Sequence, residues 1–232
     1  EDVARRVARD IVAEEIAQER LGFLPFLPAE KCHHTIISGV MAAGKTVLLK
    51  QLERQGKIDR KQCVTIDIDE FRDLEEIIKP SARSGTGAAS WANQAHQECH
   101  MIRRKILDTL EGQASEGIYR NVVLMTSFLS PRIRRWLTEG NPNVNMYMMY
   151  CAPEKALMNA HHRSQIDGRQ LSTERVLDSV RDLAVTLRFM LGVEIGTGNN
   201  LKFQVIDTSN AAFSGPDDAP VMTGENIVLT AD

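Results

Sequence analysis

The chain has 232 residues, 43% of them hydrophobic, and a formal net charge of −3. That is apolar material for one full core and too little chain for two large domains. The slightly acidic balance argues against a nucleic-acid stripe or a face drawn to anionic lipid. No apolar run reaches membrane-spanning length, and no signal-like segment follows Glu1. Cys32, Cys63, Cys99 and Cys151 form no C-x-x-C pair, which suits a reducing cytoplasmic setting.

Val3, Val7, Ile11 and Ile16 recur at helical spacing among charged residues, so the opening segment is predicted to be an amphipathic helix. Residues 21–28 hold a glycine and two prolines, which end that helix and form a linker. Residues 1–30 are therefore read as helix and linker, and 31–232 as the main domain.

Thr35-Ile36-Ile37 gives the first strand, and Gly39-Val40-Met41-Ala42-Ala43-Gly44-Lys45-Thr46 follows it. This run fits G-x-x-x-x-G-K-[ST] at every required position, the Walker A phosphate loop, and Val47, Leu48, Leu49 and Leu52 continue it as a helix. Gly39 and Gly44 let the backbone curl until its N–H groups face phosphate oxygens, while the helix N-terminus adds positive potential. Residues Gly39 to Val47 are the expected contacts of a nucleoside triphosphate, with Lys45 on its β/γ-phosphates and the Thr46 hydroxyl on Mg²⁺.

Gly56 is expected just past the end of that helix, and residues 63–67 form strand two. A Ser/Gly-rich turn spans 81–87, and a long helix covers 88–110. Strands are expected over 121–125, 144–151 and 203–207, and helices over 131–137, 153–163 and 172–191. This alternation predicts an α/β P-loop fold, a mostly parallel sheet of about five strands flanked by helices with right-handed crossovers. The tail from 215 onward is polar and weakly structured apart from Ile227-Val228-Leu229.

Strand three ends in Thr126-Ser127, with no acid to hold a metal. The acids instead close strand two, in Asp67-Ile68-Asp69-Glu70-Phe71-Arg72. If the extended conformation persists, Asp67 and Asp69 share one face at the carboxyl edge, where such sheets bind ligands. One carboxylate there can take a proton from an acceptor hydroxyl while the other orients metal-bound water. The plain alternative is an Asp that caps the next helix. Arg163 and Arg169 flank a second segment that offers charge for the triphosphate, with Gly168 as a flexible point. His96, Cys99 and His100 lack a fourth metal ligand and are read as a helix face.

Together these features resemble the zeta-toxin family of P-loop kinases, the toxin halves of toxin–antitoxin pairs. The resemblance rests on Gly39 to Thr46, on Asp67 to Arg72, on Glu98 in the long helix, and on Arg163 with Arg169. It implies ATP/Mg²⁺-dependent phosphorylation of a hydroxyl on a small nucleotide-type metabolite, characteristically UDP-N-acetylglucosamine, or NAD as in some related effectors. It further implies Asp69 as base, Lys45 and Thr46 on ATP·Mg²⁺, and Arg163 and Arg169 as transition-state clamps, which leaves Asp67 as the carboxylate expected beside the metal. Asp67, Asp69, Arg72, Glu98, Thr126 and Ser127 are the acceptor-side candidates. An antitoxin or other protein partner and a bacterial or host cytosol come with the same resemblance. Where the family reads E-G-T-x-R after strand three, this chain has Met125-Thr126-Ser127-Phe128-Leu129. That departure leaves open a second reading, a nucleotide-binding interaction module without kinase activity.

Overall fold

A run of apolar residues with little alternation is what a strand covered on both faces requires, and β1 (His34–Gly39) is buried at every position. The computed structural model describes residues 2–22, 24–72, 88–138, 143–167, 171–194, 200–210 and 227–231. In it β1 pairs in parallel with β3 (Val122–Thr126) on one side and β4 (Asn143–Tyr150) on the other. Outside these lie β2 (Val64–Asp67) against β3 and β5 (Asn200–Asp207) against β4, again parallel. A sixth strand, β6 (Ile227–Ala231), runs antiparallel along β5. The order is β2-β3-β1-β4-β5-β6. Five parallel strands match the sequence expectation, and the sixth grows from the apolar island in the tail, where no local pattern announces a partner.

Because β3 lies between β1 and β2, the carboxyl ends of these three strands form one rim. The first crossover is α2 (Lys45–Arg54), with Leu48, Leu49 and Leu52 buried. It closes with the Gly56 N–H on the Glu53 carbonyl and the Lys57 N–H on the Leu52 carbonyl, the Schellman pattern that Gly56 predicted. After β2 come the short helix α3 (Ile68–Arg72) and the long α4 (Ala88–Ser115). The turn predicted over 81–87 lies outside the described residues. Helices α5 (Pro131–Thr138), α6 (Pro153–Asp167) and α7 (Thr173–Glu194) complete the layers. Helix α4 runs five residues past its predicted end, and Arg132 of α5 holds Glu111 there through two bonds of 2.9 Å. Tertiary pairing thus outweighs the helix-weakening Gly112.

The N-terminal helix, α1 (Asp2–Gly22), packs along α4 and buries Ala13, Ile16, Ala17 and Leu21 in the same cluster as the sheet. Ile11, placed on the predicted apolar stripe, is instead 53% exposed. The small Ala13 and Ala17 let the helix approach closely, which rotates Ile11 outward, and Lys105 reaches Asp10 and Glu14 at 3.2 Å. Buried Arg120 donates to the carbonyls of Leu21 and Leu24, satisfying the end of α1.

Candidate functional site

The loop between β1 and α2 is shaped by close backbone approach. A Cβ at Gly39 would lie 2.2 Å from the Met149 carbonyl oxygen, because β4 runs alongside and Val40 N–H donates to that same oxygen at 3.0 Å. Gly44 takes a left-handed conformation (φ 88°) as the cap of α2, and Ala42 does so without being a glycine (φ 59°). Such strain persists only where neighbours over-determine it. Three successive residues are pinned, each from a different part of the chain: helix α7, helix α6 and the residue just past β5. The Met41 N–H donates to Ser179 Oγ of α7 at 2.9 Å, Asn159 Nδ2 of α6 donates to the Ala42 carbonyl at 3.1 Å, and Thr208 Oγ1 donates to the Ala43 carbonyl at 3.1 Å. Ser179 and Thr208 are almost wholly buried. Sequence reading singled out none of the three, since each is an ordinary polar residue whose value depends on where the sheet brings it.

The Lys45 ammonium donates to the carbonyls of Gly39 at 3.1 Å and Val40 at 3.0 Å, and to Ser127 Oγ at 3.3 Å. Burial pulls its pKa from 10.5 down to about 8; Asp69 and then Asp67 push it back up, and Arg163 pulls it down. These four groups therefore feel one another. Arg163 Nη1 lies 3.7 Å from Asp69 Oδ2. Asn159 and Arg163 are one turn apart on α6, about 6 Å along its axis, so a single helix sets the arginine relative to the loop.

The extended conformation does not persist through Asp69, as the sequence reading supposed. β2 stops at Asp67, whose Oδ1 accepts the Asp69 N–H at 2.9 Å and so caps α3. The capping alternative holds for Asp67, and helical geometry rather than strand alternation places Asp69. Burial, then the neighbouring Asp69, raises the Asp67 carboxyl above its ordinary range. Phe71 is fully buried and anchors α3.

The other predicted residues are dispersed. Ser127 joins Lys45, but the Thr126 hydroxyl turns into its own turn, donating to the Phe128 carbonyl at 2.8 Å. Glu98 pairs with Arg9 of α1 at 3.0 Å and keeps Oε2 buried without a hydrogen-bond partner. Thr46 is exposed on the first turn of α2. Arg169 lies outside the described residues, as does the side chain of Arg72. Among the described residues no group of three His, Cys, Asp or Glu could hold a metal by itself. All four cysteines are free thiols, and burial raises Cys32 to about 12 and Cys63 to about 11, so neither is a ready nucleophile.

The model of the zeta toxin family matches residues 25–195. The chain belongs to the zeta toxin family. The match runs from the linker before β1 to the end of α7 and leaves α1 outside. Among solved structures, a chain of the PezAT chromosomal toxin–antitoxin system of Streptococcus pneumoniae is similar, with TM-score 0.60 and 12% identity, covering 94% of this chain and 80% of that one. Two AvrRxo1-ORF1:ORF2 complexes are also similar. The one with sulphate has TM-score 0.56 at 14% identity and the one with ATP 0.52 at 15%. Each covers 89% of this chain, which spans 62% of theirs. Identities this low carry the shared P-loop kinase fold and no more. Sequence comparison with curated proteins finds no match. No helix among the described residues is long and apolar enough to cross a membrane.

Proposed function

We propose that this zeta toxin family member is an ATP/Mg²⁺-dependent kinase acting on a hydroxyl of a small nucleotide-type metabolite. The acceptor class is a sugar nucleotide such as UDP-N-acetylglucosamine or a dinucleotide such as NAD, and the role is that of a toxin or effector in a cytosol. One observation carries the reading: Lys45, Asp67, Asp69 and Arg163, from three separate stretches of chain, form one interacting cluster beside a pinned phosphate loop. The amides of the loop and Lys45 would hold the triphosphate. Thr46 and Asp67 would hold Mg²⁺, which supplies charge neutralisation on the phosphate oxygens. The acceptor oxygen forms its bond to the γ-phosphorus as the bond to the β–γ bridging oxygen breaks, its electron pair leaving with ADP. Asp69 takes the hydroxyl proton, and Arg163, with Arg169, neutralises charge on the moving group. Ser127, Arg72 and Glu98 would serve the acceptor in this reading, a sugar hydroxyl satisfying the buried Glu98 Oε2.

The ATP complex of a similar toxin-fold protein and the two-component character of both neighbours support ATP and an antitoxin-like protein partner within this reading. Neither nucleic acid nor membrane belongs to it. The region after β3 favours a second reading, a nucleotide-binding interaction module, because it lacks the family's Glu and Arg and locks the Thr126 hydroxyl in its own turn. Incubation with ATP·Mg²⁺ and a panel of sugar nucleotides and dinucleotides, read by mass for one added phosphoryl group, separates the two. Asp69→Asn should keep ATP·Mg²⁺ binding within about threefold and lower transfer by at least about 10². Tight ATP binding with no transfer to any acceptor would promote the module.

A further inference from the structure

The residue after Asp69 is held from the opposite side. Glu70 receives a separate arginine on each carboxylate oxygen: Arg20 Nη1 donates to Oε1 at 2.9 Å and Arg60 Nη2 to Oε2 at 2.7 Å. Arg20 comes from the last turn of α1, and Arg60 opens the 3₁₀ turn Arg60–Gln62 that leads into β2. Arg60 lies also 3.7 Å from Glu53 at the end of α2, so four charges alternate in sign across three elements and α3. The side chains of Arg20, Glu70 and Arg60 are 29%, 32% and 36% exposed. An isolated pair so placed would count for little.

Its setting gives this one leverage. Helix α3 has five residues, too few to hold its own geometry, and depends on the Asp67 cap, the Phe71 anchor and whatever grips its outer face. Consecutive helical residues point about 100° apart, so Asp69 turns toward Lys45 and Arg163 while Glu70 turns toward α1. We propose that Glu70 is a positioning residue: the Arg20–Glu70–Arg60 clamp fixes the rotation of α3 and thereby the aim of Asp69. Helix α1, which the family model does not match, thus becomes part of the transfer machinery. The inference rests on the kinase reading, in which a misplacement of about 1 Å at a proton acceptor costs up to about 10² in rate.

The test uses the full chain with Glu70→Gln, Arg20→Ala, the double variant, and Lys105→Ala. The last loosens α1 from α4 through Asp10 and Glu14 without touching α3. Below each variant's unfolding midpoint, Glu70→Gln and Arg20→Ala should each lower kcat about tenfold with KM for ATP within about twofold. The double variant should be no worse than either, and Lys105→Ala should keep its kcat. A purely electrostatic effect would shift the acid limb of the kcat profile in opposite directions, since one variant removes a negative and the other a positive charge; that result overturns the proposal. So does unchanged kcat, or an equal loss in Lys105→Ala. Hydrogen exchange over residues 66–72 is an independent arm that needs no acceptor. It should quicken in both clamp variants and not in Lys105→Ala, and unchanged exchange refutes the clamp. A chain with no transfer even unmutated removes the kinase reading, and the exchange arm still decides whether Glu70 holds α3.

Discussion

Lys45 offers a test of the site that needs no knowledge of the acceptor. Its ammonium sits among loop carbonyls with a pKa pulled by burial from 10.5 to about 8. A triphosphate brings negative charge to the same spot and restores the protonated form, so above about pH 8 binding must take up a proton. At about pH 9.5 only about 3% of the free protein carries the charge, and the Kd for ATP·Mg²⁺ should be about 30-fold weaker than near neutrality. Stability of the unliganded protein moves the other way. The unfolded lysine titrates near 10.5 and binds more protons than the folded one between about 8 and 10.5, so the contribution of this group rises with pH across that window. Buried Cys32 and Cys63 act oppositely once unfolded thiols ionise, so the stability term is read as a difference from Lys45→Met. Calorimetry in two buffers of different ionisation enthalpy measures the proton directly. Uptake approaching one proton near pH 9.5, absent in Lys45→Met, is expected. A Kd flat to pH 9.5 with no uptake would refute the desolvated lysine and its place on the phosphates.

Gly39→Ala should destabilise the fold by about 3 kcal/mol or more. The new Cβ meets Met149 backbone at 2.2 Å between paired strands, and urea unfolding reads the loss. Ser179→Ala removes the acceptor of the half-buried Met41 N–H; it should raise KM for ATP about three- to tenfold with kcat changed less, because it loosens the loop that would hold the phosphates in the ground state. Arg163→Ala should show the reverse split in steady-state kinetics, kcat falling more than KM rises, since the guanidinium lies beside Asp69 and in the proposed reaction would act where charge develops.

Local sequence determined the elements and the phosphate loop of this protein. Burial on both faces writes β3 and the centre of β1 as apolar runs, and curling a backbone around phosphate demands Gly39, Gly44 and Lys45 at fixed spacing, so both signals sit within a few residues. Asp67 and Asp69 are legible in the sequence as a candidate site, but their geometry is not. Whether the chain stays extended past Asp67 is settled by a cap of 2.9 Å and by Phe71 entering the core, and both depend on packing. The same holds for Ser179, Asn159 and Thr208, which lie far from the loop in sequence and reach it only because β4 runs beside β1 and β5 beside β4. It also holds for Ile11, whose periodicity gave a face but not the rotation that Ala13 and Ala17 permit. Glu70 is the clearest case. As one acid among several after β2 it carries no signal, and only the close approach of α1 and the turn before β2 places an arginine on each of its oxygens. Spacing along a chain encodes contacts that close within one element, whereas contacts across elements are fixed by sheet order and helix docking, which depend on the whole core.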